Sequence, residues 1–368
     1  MTVSVPNLRR YAVTRSLFPP STMPAAIERL GFVQADPIRA PARAQDLILR
    51  HRAEGYVAGD LERLYPTLGV EEDFFVNYGF LPRRLQALMH PRGGFGAWPS
   101  PGARVGAKVL EFVRARGPVH PRDVDAHFAH GAVRNYWGGS SSATTHALDH
   151  LHYRGLVRVH ARDGGIRLYA ARDHGPKVTT PFERRARLDA LVDVIVALYA
   201  PLPAATLSWL VRRLRYAAPQ WQGQLTATLA RARARLGHAA VDGITYYWPA
   251  GETPDGEGPD AVRLLAPFDP VVWDRRRFEH LWGWPYRFEA YTPEAKRTLG
   301  YYALPLLWRD QVIGWANVSW KGGAMDARVG YVRGRAPRDR EFRIALDEEL
   351  QAMRTFLANA RTTSALDG

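Results

Sequence analysis

The sequence contains no cysteine among its 368 residues. This absence excludes a disulfide framework, a thiolate nucleophile and any cysteine-ligated zinc or iron–sulfur site, and it fits a reducing compartment. The first 20 residues lack the apolar run of a signal peptide. The most apolar stretch, residues 188–211, is interrupted by Asp193, Pro201 and Pro203, so it is a poor candidate for a membrane span. We therefore expect a cytoplasmic protein with no membrane partner.

Lysine is scarce: only 4 of the 50 Lys and Arg residues are lysine. The formal net charge of +14 lies entirely in residues 1–250, which carry 33 basic and 19 acidic residues, whereas residues 251–368 carry 17 of each. A GC-rich genome accounts for arginine in place of lysine but not for this uneven distribution. The pattern indicates a basic binding region joined to a neutral domain, with a polyanion as the natural partner.

The N-terminal 100 residues are predicted to form a helical, winged-helix-like subdomain. Helices are expected over 8–17, 23–30 and 41–50, with Ser21 and Gly31 as caps of the second helix. Residues 32–37 are expected to be extended or turn-like, since Pro37 disfavours a helical Asp36. Residues 91–102 are rich in glycine and proline and are interpreted as a linker.

Residues 103–175 follow the order of a winged helix-turn-helix. Apolar spacing predicts helices over 105–116, 122–128 and 140–154, followed by strands over 156–161 and 166–170. The Asp-Gly-Gly turn between the strands is typical of a hairpin. Residues 181–250 repeat the order, with helices over 183–199, 204–214 and 220–236 and a hairpin that turns at Asp242-Gly243.

Residues 260–368 are predicted to form a small β-barrel-like domain with a closing helix over 338–357. Its strands are expected over 262–266, 287–291, 300–307, 311–320 and 327–332. The predicted fold class is therefore α+β, with tandem winged-helix subdomains followed by this β-rich domain.

A winged helix inserts its third helix into a DNA groove and rests its hairpin on the backbone. Arg134 and Ser140 precede or begin the first such helix, and Arg162 borders the first hairpin turn, so all three are candidate phosphate ligands. Each one considered alone is more commonly a solvated surface group. Winged helices also serve as protein-interaction modules, so the fold by itself leaves the partner open.

Eight of the twelve histidines lie within residues 120–174. His146 and His150 have the i,i+4 spacing of paired metal ligands on a helix. The sequence has no His-Glu-x-x-His motif and no evident third ligand, so we predict neither a metal nor an organic cofactor.

The tripeptide Gln34-Ala35-Asp36 places two polar side chains on one side of an extended segment. Asp before proline is also common turn chemistry, and from the residues alone a structural role is the commoner explanation.

Two longer segments carry a family resemblance. Residues 30–52 read LGFVQADPIRAPARAQDLILRHR, and the C-terminal block reads LLAPFDPVVWDRR over 264–276 and YRFEAYTPEAKRTLGYYALPLLWRDQVIG over 286–314. Both resemble the AlkX/YcaQ family of winged-helix DNA glycosylases, which are relatives of AlkZ. The motif of the AlkX/YcaQ family is Gln–apolar–Asp. The resemblance implies three winged-helix-type subdomains and a β-barrel around DNA.

The resemblance also implies that Gln34 and Asp36 are catalytic and that double-stranded DNA with alkylated bases is the partner. N7-alkylguanine and interstrand crosslinks are the implied substrates. Candidate DNA contacts are Arg39, Arg43 and Arg52 beside the motif, Asn77 and Tyr78 further along the N-terminal subdomain, and Lys296 and Arg297 in the C-terminal block. Asn77 and Tyr78 stand where relatives often have histidine and glutamate, and Gln45 stands where a histidine is often found. These departures imply an altered substrate preference or a loss of activity.

The expected chemistry needs one carboxylate. Cleavage of an N-glycosidic bond develops positive charge on the deoxyribose, which Asp36 would stabilise, or Asp36 would take a proton from water that Gln34 orients. An N7-alkylated guanine is already cationic and leaves without a general acid. No lysine lies beside the motif, so we expect a monofunctional enzyme. We also expect the protein to be a monomer. The alternatives are a non-enzymatic winged-helix DNA-binding protein or regulator and a protein-interaction scaffold.

Overall fold

The chain divides into two units, each assembled from segments that are distant in sequence. Unit 1 comprises residues 1–60, 192–210 and 229–361, and unit 2 comprises residues 61–191 and 211–228. The structure is a computed structural model that describes residues 2–93, 100–128, 132–134, 140–173, 178 and 180–360. None of the helices in those residues is long and apolar enough to cross a bilayer.

Two capped helices open unit 1. The first, Val5–Ser16, begins three residues before the predicted start because Ser4 and Asn7 form a capping box. The second, Met23–Leu30, has the predicted bounds, but its cap is Thr22 rather than Ser21. It ends at Gly31, whose φ of 72° lies in the left-handed region that favours glycine. The short strand Val33–Gln34 and the helix Ala44–Leu49 follow, the helix being shorter than expected.

The C-terminal part of unit 1 contains a four-stranded antiparallel sheet. Its strands are Val262–Leu264, Leu304–Trp308, Gln311–Lys321 and Ala324–Tyr331, which pair in chain order. None of the sheets in the described residues closes into a barrel, so the barrel expectation is wrong. The closing helix, Arg340–Ala358, packs against the first strand of this sheet.

The strand expected over 287–291 is absent because that segment is an irregular loop organised by one carboxylate. Glu289 Oε2 accepts hydrogen bonds from the backbone N–H groups of Thr298, Leu299 and Gly300, at 2.9, 2.8 and 3.2 Å. These bonds satisfy amide groups that a strand would otherwise have to pair. The following strand therefore starts at Leu304 rather than at 300.

A helix that the sequence analysis missed, Arg275–Trp282, completes the core of unit 1. The Asp274 carboxylate caps it by accepting the N–H groups of Arg276 and Arg277, both at 3.1 Å. Phe278 of this helix is buried with Val13, Val272 and Leu307 in one apolar cluster. The N-terminal and C-terminal segments of unit 1 thus share a single core.

A buried ion pair joins the same distant segments. The Arg52 guanidinium donates to both oxygens of Asp269, at 2.8 and 3.0 Å, and the side chains of both residues are 0% exposed. This geometry is the bidentate arrangement in which Arg binds carboxylates most strongly. It corrects the expectation that Arg52 contacts DNA, because its donors are directed inward to Asp269 and to the Ser16 and Ile48 carbonyls.

Unit 2 contains a three-helix and hairpin segment. Its helices are Ser100–Arg116, Pro121–Phe128 and Ala143–Arg154, and its hairpin strands are Val157–Asp163 and Ile166–Ala171. The third helix begins at Ala143 rather than 140, because Ser140–Ser142 pairs as a strand with Ala132–Arg134. The first backbone N–H groups of a helix have no partner within it, so a helix that began at 140 would have left those of residues 140–142 unpaired. The strand pairing with Ala132–Arg134 uses backbone groups of these residues instead.

A second hairpin, in unit 1, joins Gly237–Val241 to Ile244–Trp248. Asp242 and Gly243 both have positive φ, at 48° and 77°, as the predicted Asp-Gly turn requires. The remaining elements of the chain are Asp60–Leu64, Tyr65–Thr67, Val70–Phe74, Tyr78–Pro82, Arg83–Met89, Pro181–Tyr199, Leu202–Pro203, Ala204–Ala217, Pro219–Gln224, Leu225–Arg235 and Glu294–Lys296.

Three consecutive acidic residues, which we call the carboxylate triplet, are buried in unit 2. They are Glu71, Glu72 and Asp73, each about 1% exposed. Glu71 pairs with Arg83 at 2.8 Å and Arg158 at 2.9 Å, Glu72 with Arg162 at 2.6 Å, and Asp73 with Arg92 at 2.7 Å. Burial without such partners would cost several kcal/mol per charge.

Candidate active site

The tripeptide lies in a segment, residues 33–38, that we call the motif segment. It leaves the strand Val33–Gln34 and continues as irregular backbone toward the helix Ala44–Leu49. Phe32 and Val33 are 1% exposed and anchor its start in the core, whereas Gln34 and Asp36 are half-buried. Half-burial leaves part of each side chain open to a ligand.

The orientation of Gln34 is set by a tryptophan from the C-terminal block. The indole N–H of Trp273 donates to Gln34 Oε1 at 3.1 Å. Because an indole only donates, the amide oxygen must face Trp273, and the Nε2 group is the donor end of the side chain. Trp273 is itself packed against Tyr199, with ring centroids 4.7 Å apart.

The Asp36 carboxylate is held by its own turn. Its Oδ1 accepts the N–H of Ile38 at 2.9 Å, while its backbone N–H donates to Gln45 Oε1 at 3.2 Å. Burial raises the pKa of Asp36, and the Ile38 N–H partly opposes that rise. The result is a partly desolvated carboxylate whose charge would act strongly on a cationic centre nearby.

Gln45 contacts the motif segment directly, a contact that was not predicted from the sequence. Its side chain is buried and its Oε1 fixes the backbone of Asp36. A glutamine amide supplies this acceptor without taking on charge. A histidine here, as the resemblance implies for relatives, would supply the acceptor only in its neutral form, through an unprotonated ring nitrogen.

A cavity of about 640 Å³ opens in unit 1 and is lined in part by Ala40, which follows the motif segment, and by Tyr301 and Tyr302. Charged residues of both signs also line it: the cations Arg297, Lys321 and Arg328 and the anions Glu294 and Asp326. We call it the Tyr302 groove.

The candidate DNA contacts of unit 1 differ in exposure. Arg39 and Lys296 are exposed, and Arg43 and Arg297 are half-buried. Arg297 uses Nε to donate to the Thr292 carbonyl at 2.8 Å, and its guanidinium carbon lies 5.0 Å from the Tyr301 ring centroid. All four remain on the surface of the unit that contains the motif segment.

The candidates in unit 2 are more occupied by internal contacts. Asn77 accepts a hydrogen bond from Arg213 at 3.2 Å, and the Tyr78 hydroxyl donates to Glu72 at 2.8 Å. Arg162 binds both Glu72 oxygens, at 2.7 and 2.6 Å, so its charge is committed to the carboxylate triplet. The backbones of Arg134 and Ser140 pair in a strand ladder, and their side chains lie outside the described residues.

The AlkZ-like DNA glycosylase family matches residues 27–356, a range that includes the motif segment, Gln45 and Trp273. The chain belongs to this family. The DNA glycosylase AlkZ of Streptomyces sahachiroi has a solved structure similar over 98% of each chain, with a TM-score of 0.64 and 13% sequence identity. At that identity the likeness shows a shared fold.

Membership in the AlkZ-like family confirms the resemblance drawn from residues 30–52 and from the C-terminal block. It identifies a DNA repair glycosylase, with DNA as the substrate. Family membership thus identifies the class of reaction. The contacts of Gln34 and Asp36 are the basis on which catalytic roles are proposed for them below.

Proposed function

We propose that this protein hydrolyses the N-glycosidic bond of alkylated bases in DNA, with N7-alkylguanine and interstrand crosslinks as substrates. The observation that carries the proposal is the motif segment, in which a partly desolvated Asp36 lies two residues from a Gln34 amide that Trp273 orients. A crosslinked base is too bulky to be drawn easily into a closed pocket.

The proposed reaction breaks the bond between C1′ and N9 and forms a bond between C1′ and a water oxygen. N7-alkylguanine carries a positive charge, so it leaves as a neutral base that keeps the bonding electron pair. Asp36 stabilises the cationic sugar or accepts the proton that the water loses. Gln34 orients that water or the carboxylate through its amide group.

We propose Arg39, Arg43, Lys296 and Arg297 as backbone contacts in unit 1, supported by their position on its surface. In unit 2 we propose Asn77, Arg134 and Ser140 as further contacts. The polar side-chain groups of Arg52, Tyr78 and Arg162 instead bind internal carboxylates, so these three residues are not proposed to contact DNA. We also propose winged-helix modules at 103–175 and 181–250, supported by the order of helices and hairpin along each segment.

We further propose a monofunctional, monomeric, cytoplasmic enzyme. A bifunctional glycosylase that cleaves the strand needs an amine nucleophile. None of the four lysines lies within residues 1–107, which include the motif segment.

The first test compares wild type with Asp36→Asn on a duplex that contains one N7-methylguanine and on a duplex with a nitrogen-mustard crosslink. Base release should fall at least about 100-fold in Asp36→Asn, the scale of a lost electrostatic group. Asn preserves the Oδ1 acceptor for Ile38, so the turn stays intact. Asp347→Asn, at an exposed aspartate of the closing helix, makes the same chemical change and should leave the rate unchanged.

The outcomes separate the hypotheses. Strands should break only after alkali or an abasic endonuclease is added, and breakage without either would contradict the monofunctional assignment. If wild type releases neither lesion but binds DNA in a salt-sensitive manner, the alternative of a non-enzymatic winged-helix DNA-binding protein is favoured.

A further inference from the structure

Three arginines of unit 2 converge on one member of the carboxylate triplet, Glu71. The Nε group of Arg83 donates to Glu71 Oε1 at 2.8 Å, and the Nε group of Arg158 donates to both carboxylate oxygens, at 3.1 and 2.9 Å. Arg172 places its Nη1 group 3.4 Å from Glu71 Oε2. We call Arg83, Arg158 and Arg172 the arginine cluster. Three guanidinium charges against one carboxylate leave an excess of two positive charges.

The other two members of the triplet do not remove this excess. Glu72 pairs with Arg162 at 2.6 Å, and Asp73 pairs with Arg92 at 2.7 Å. Among the residues that the structure describes, Glu71 is the one acidic side chain that forms an ion pair with the arginine cluster. The cluster is therefore a local centre of positive charge in the folded chain.

The arginine cluster also has hydrogen-bond donors that the fold does not use. In the described part of the chain, the Nη groups of Arg83, Arg158 and Arg172 donate no hydrogen bond, and Arg158 Nη2 and Arg172 Nη1 are buried in that condition. A charged donor that lacks an acceptor is destabilising, and native proteins retain few such groups. Burial lowers the pKa of Arg172, and the like charges of Arg158 and Arg83 lower it further.

The arginine cluster is accessible from solvent although its carboxylate is not. Arg83 begins a helix, Arg158 lies on the first strand of the hairpin in unit 2, and Arg172 follows the second strand. Their side chains are 51%, 19% and 14% exposed, whereas that of Glu71 is 1% exposed. An anion that approaches from solvent therefore meets guanidinium groups and is shielded from the carboxylate.

We propose that the arginine cluster is a phosphate-binding site of unit 2 and that its ligand is a phosphodiester group of the DNA backbone. Guanidinium groups bind phosphate oxygens through paired N–H donors, and here three side chains offer unused Nη groups. A phosphodiester carries a single negative charge, so its binding reduces the local excess of positive charge. The inference rests on DNA as the substrate, and it is independent of the roles proposed for Gln34 and Asp36.

The test is the affinity for undamaged duplex DNA of several sequences, measured over a series of salt concentrations. Arg172→Gln should weaken binding at least about threefold on every sequence and reduce the slope of log affinity against log salt by up to about 0.9, the value for one phosphate. Arg83→Gln should act in the same direction. Arg172→Gln should leave the melting temperature unchanged or higher, because in the described residues the Arg172 side chain has no hydrogen bond to lose.

Arg122→Gln is the matched control, because it removes the same charge from the same unit. The Arg122 side chain is 75% exposed and pairs with its neighbour Asp123 at 3.6 Å. This variant should leave both the affinity and the slope unchanged. Inorganic phosphate, added to the DNA-free wild type and to Arg172→Gln, separates free phosphate from the DNA backbone as the ligand.

Unchanged DNA affinity and slope in both Arg172→Gln and Arg83→Gln would overturn the proposal, and so would an equal loss in Arg122→Gln. Inorganic phosphate that raises the melting temperature of wild type but not of Arg172→Gln, while the two bind DNA alike, would overturn the phosphodiester assignment. If wild type releases no base but Arg172→Gln weakens DNA binding as expected, the phosphate site stands and the glycosylase proposal fails instead.

Discussion

At the scale of single residues, two side chains of the candidate site, those of Trp273 and Gln45, orient the motif residues through hydrogen bonds. Gln34 receives its orientation from Trp273, which is 239 residues further along the chain. Asp36 receives its backbone position from Gln45. A glutamine amide that is free to flip could present either its oxygen or its NH2 group to a ligand. The hydrogen bond from the indole fixes which of the two groups faces away from Trp273.

Trp273→Phe should lower the single-turnover rate of base release by roughly 10-fold, the scale of a hydrogen bond lost from a positioning group. The phenyl ring keeps the packing on Tyr199. Trp282→Phe is the matched control, since the Trp282 indole donates at 2.8 Å to the Asp310 carbonyl, outside the motif segment. Equal rates in the two variants would contradict a specific role for Trp273.

The raised pKa of Asp36 has consequences for both rate and stability. The acid limb of base release should lie above the pH at which an ordinary aspartate titrates, because Asp36 must be ionised to act. The folded protein binds this proton more tightly than the unfolded chain, so Asp36 reduces stability as pH rises through its titration. Asp36→Asn should therefore melt at the same or a higher temperature at pH 7. A lower melting temperature would show that the ionised carboxylate stabilises the fold.

At the scale of elements, the carboxylate triplet of unit 2 places three charged side chains in the interior, where unpaired charge is energetically costly. Successive residues of a strand face opposite sides, so burial of all three requires both faces of Val70–Phe74 to be covered. Burial alone would raise the pKa of Asp73, but Arg92 and His90 outweigh it and hold that pKa far below its usual range. Asp73 therefore stabilises the fold at neutral pH, and this contribution is lost as the pH falls below the usual carboxylate range.

Asp73→Asn should lower the free energy of unfolding by about 3–5 kcal/mol, because it leaves the buried Arg92 without its counter-charge. Asp149→Asn provides the comparison: Asp149 pairs with Arg167 at 3.2 Å, but its side chain is 54% exposed. Its loss should cost less than about 1 kcal/mol in the same denaturant titration. Similar costs for the two variants would contradict the structural role of the triplet.

Prediction from sequence succeeded where an element is defined by its own residues. The bounds of Met23–Leu30 and the Asp242-Gly243 turn follow from local capping and turn preferences. It failed at 287–291, where Glu289 binds the backbone N–H groups of residues 298–300, a contact that strand alternation does not predict. It also failed where distant chain decides. Arg52 was expected to reach DNA because Asp269, its partner 217 residues away, is invisible to any local pattern. For the same reason the hydrogen bond from Trp273 to Gln34 was not foreseen.

At the scale of the whole molecule, the net positive charge is not removed by internal ion pairing. Glu71, Glu72 and Asp73 are buried against arginines, and each such pair cancels one acidic and one basic charge. The excess of 14 basic residues in residues 1–250 is therefore carried by groups outside these pairs. Such an excess of positive charge attracts DNA of any sequence.

DNA affinity should consequently fall linearly on a plot of log affinity against log salt, with a slope of about 0.9 per phosphate contacted. Lys296→Ala should reduce that slope by about one contact and weaken binding alike on several undamaged sequences. Arg354→Ala removes the same charge from the closing helix, away from the proposed contacts, and should leave the slope unchanged. A slope that Lys296→Ala does not alter would remove Lys296 from the proposed DNA surface.

The hydrogen bond from Trp273 to Gln34 also sets the order in which a working enzyme can arise during translation. The ribosome makes both motif residues early, but the indole that orients the amide, and the Asp269 that neutralises Arg52, are made more than 200 residues later. A nascent or prematurely terminated chain thus carries the motif without its orientation and leaves a guanidinium without its buried counter-charge. Since Gln34 and Asp36 are the proposed catalytic residues, we expect an unfinished copy to release bases more slowly than the complete protein, which has its C-terminal block folded onto the first 60 residues.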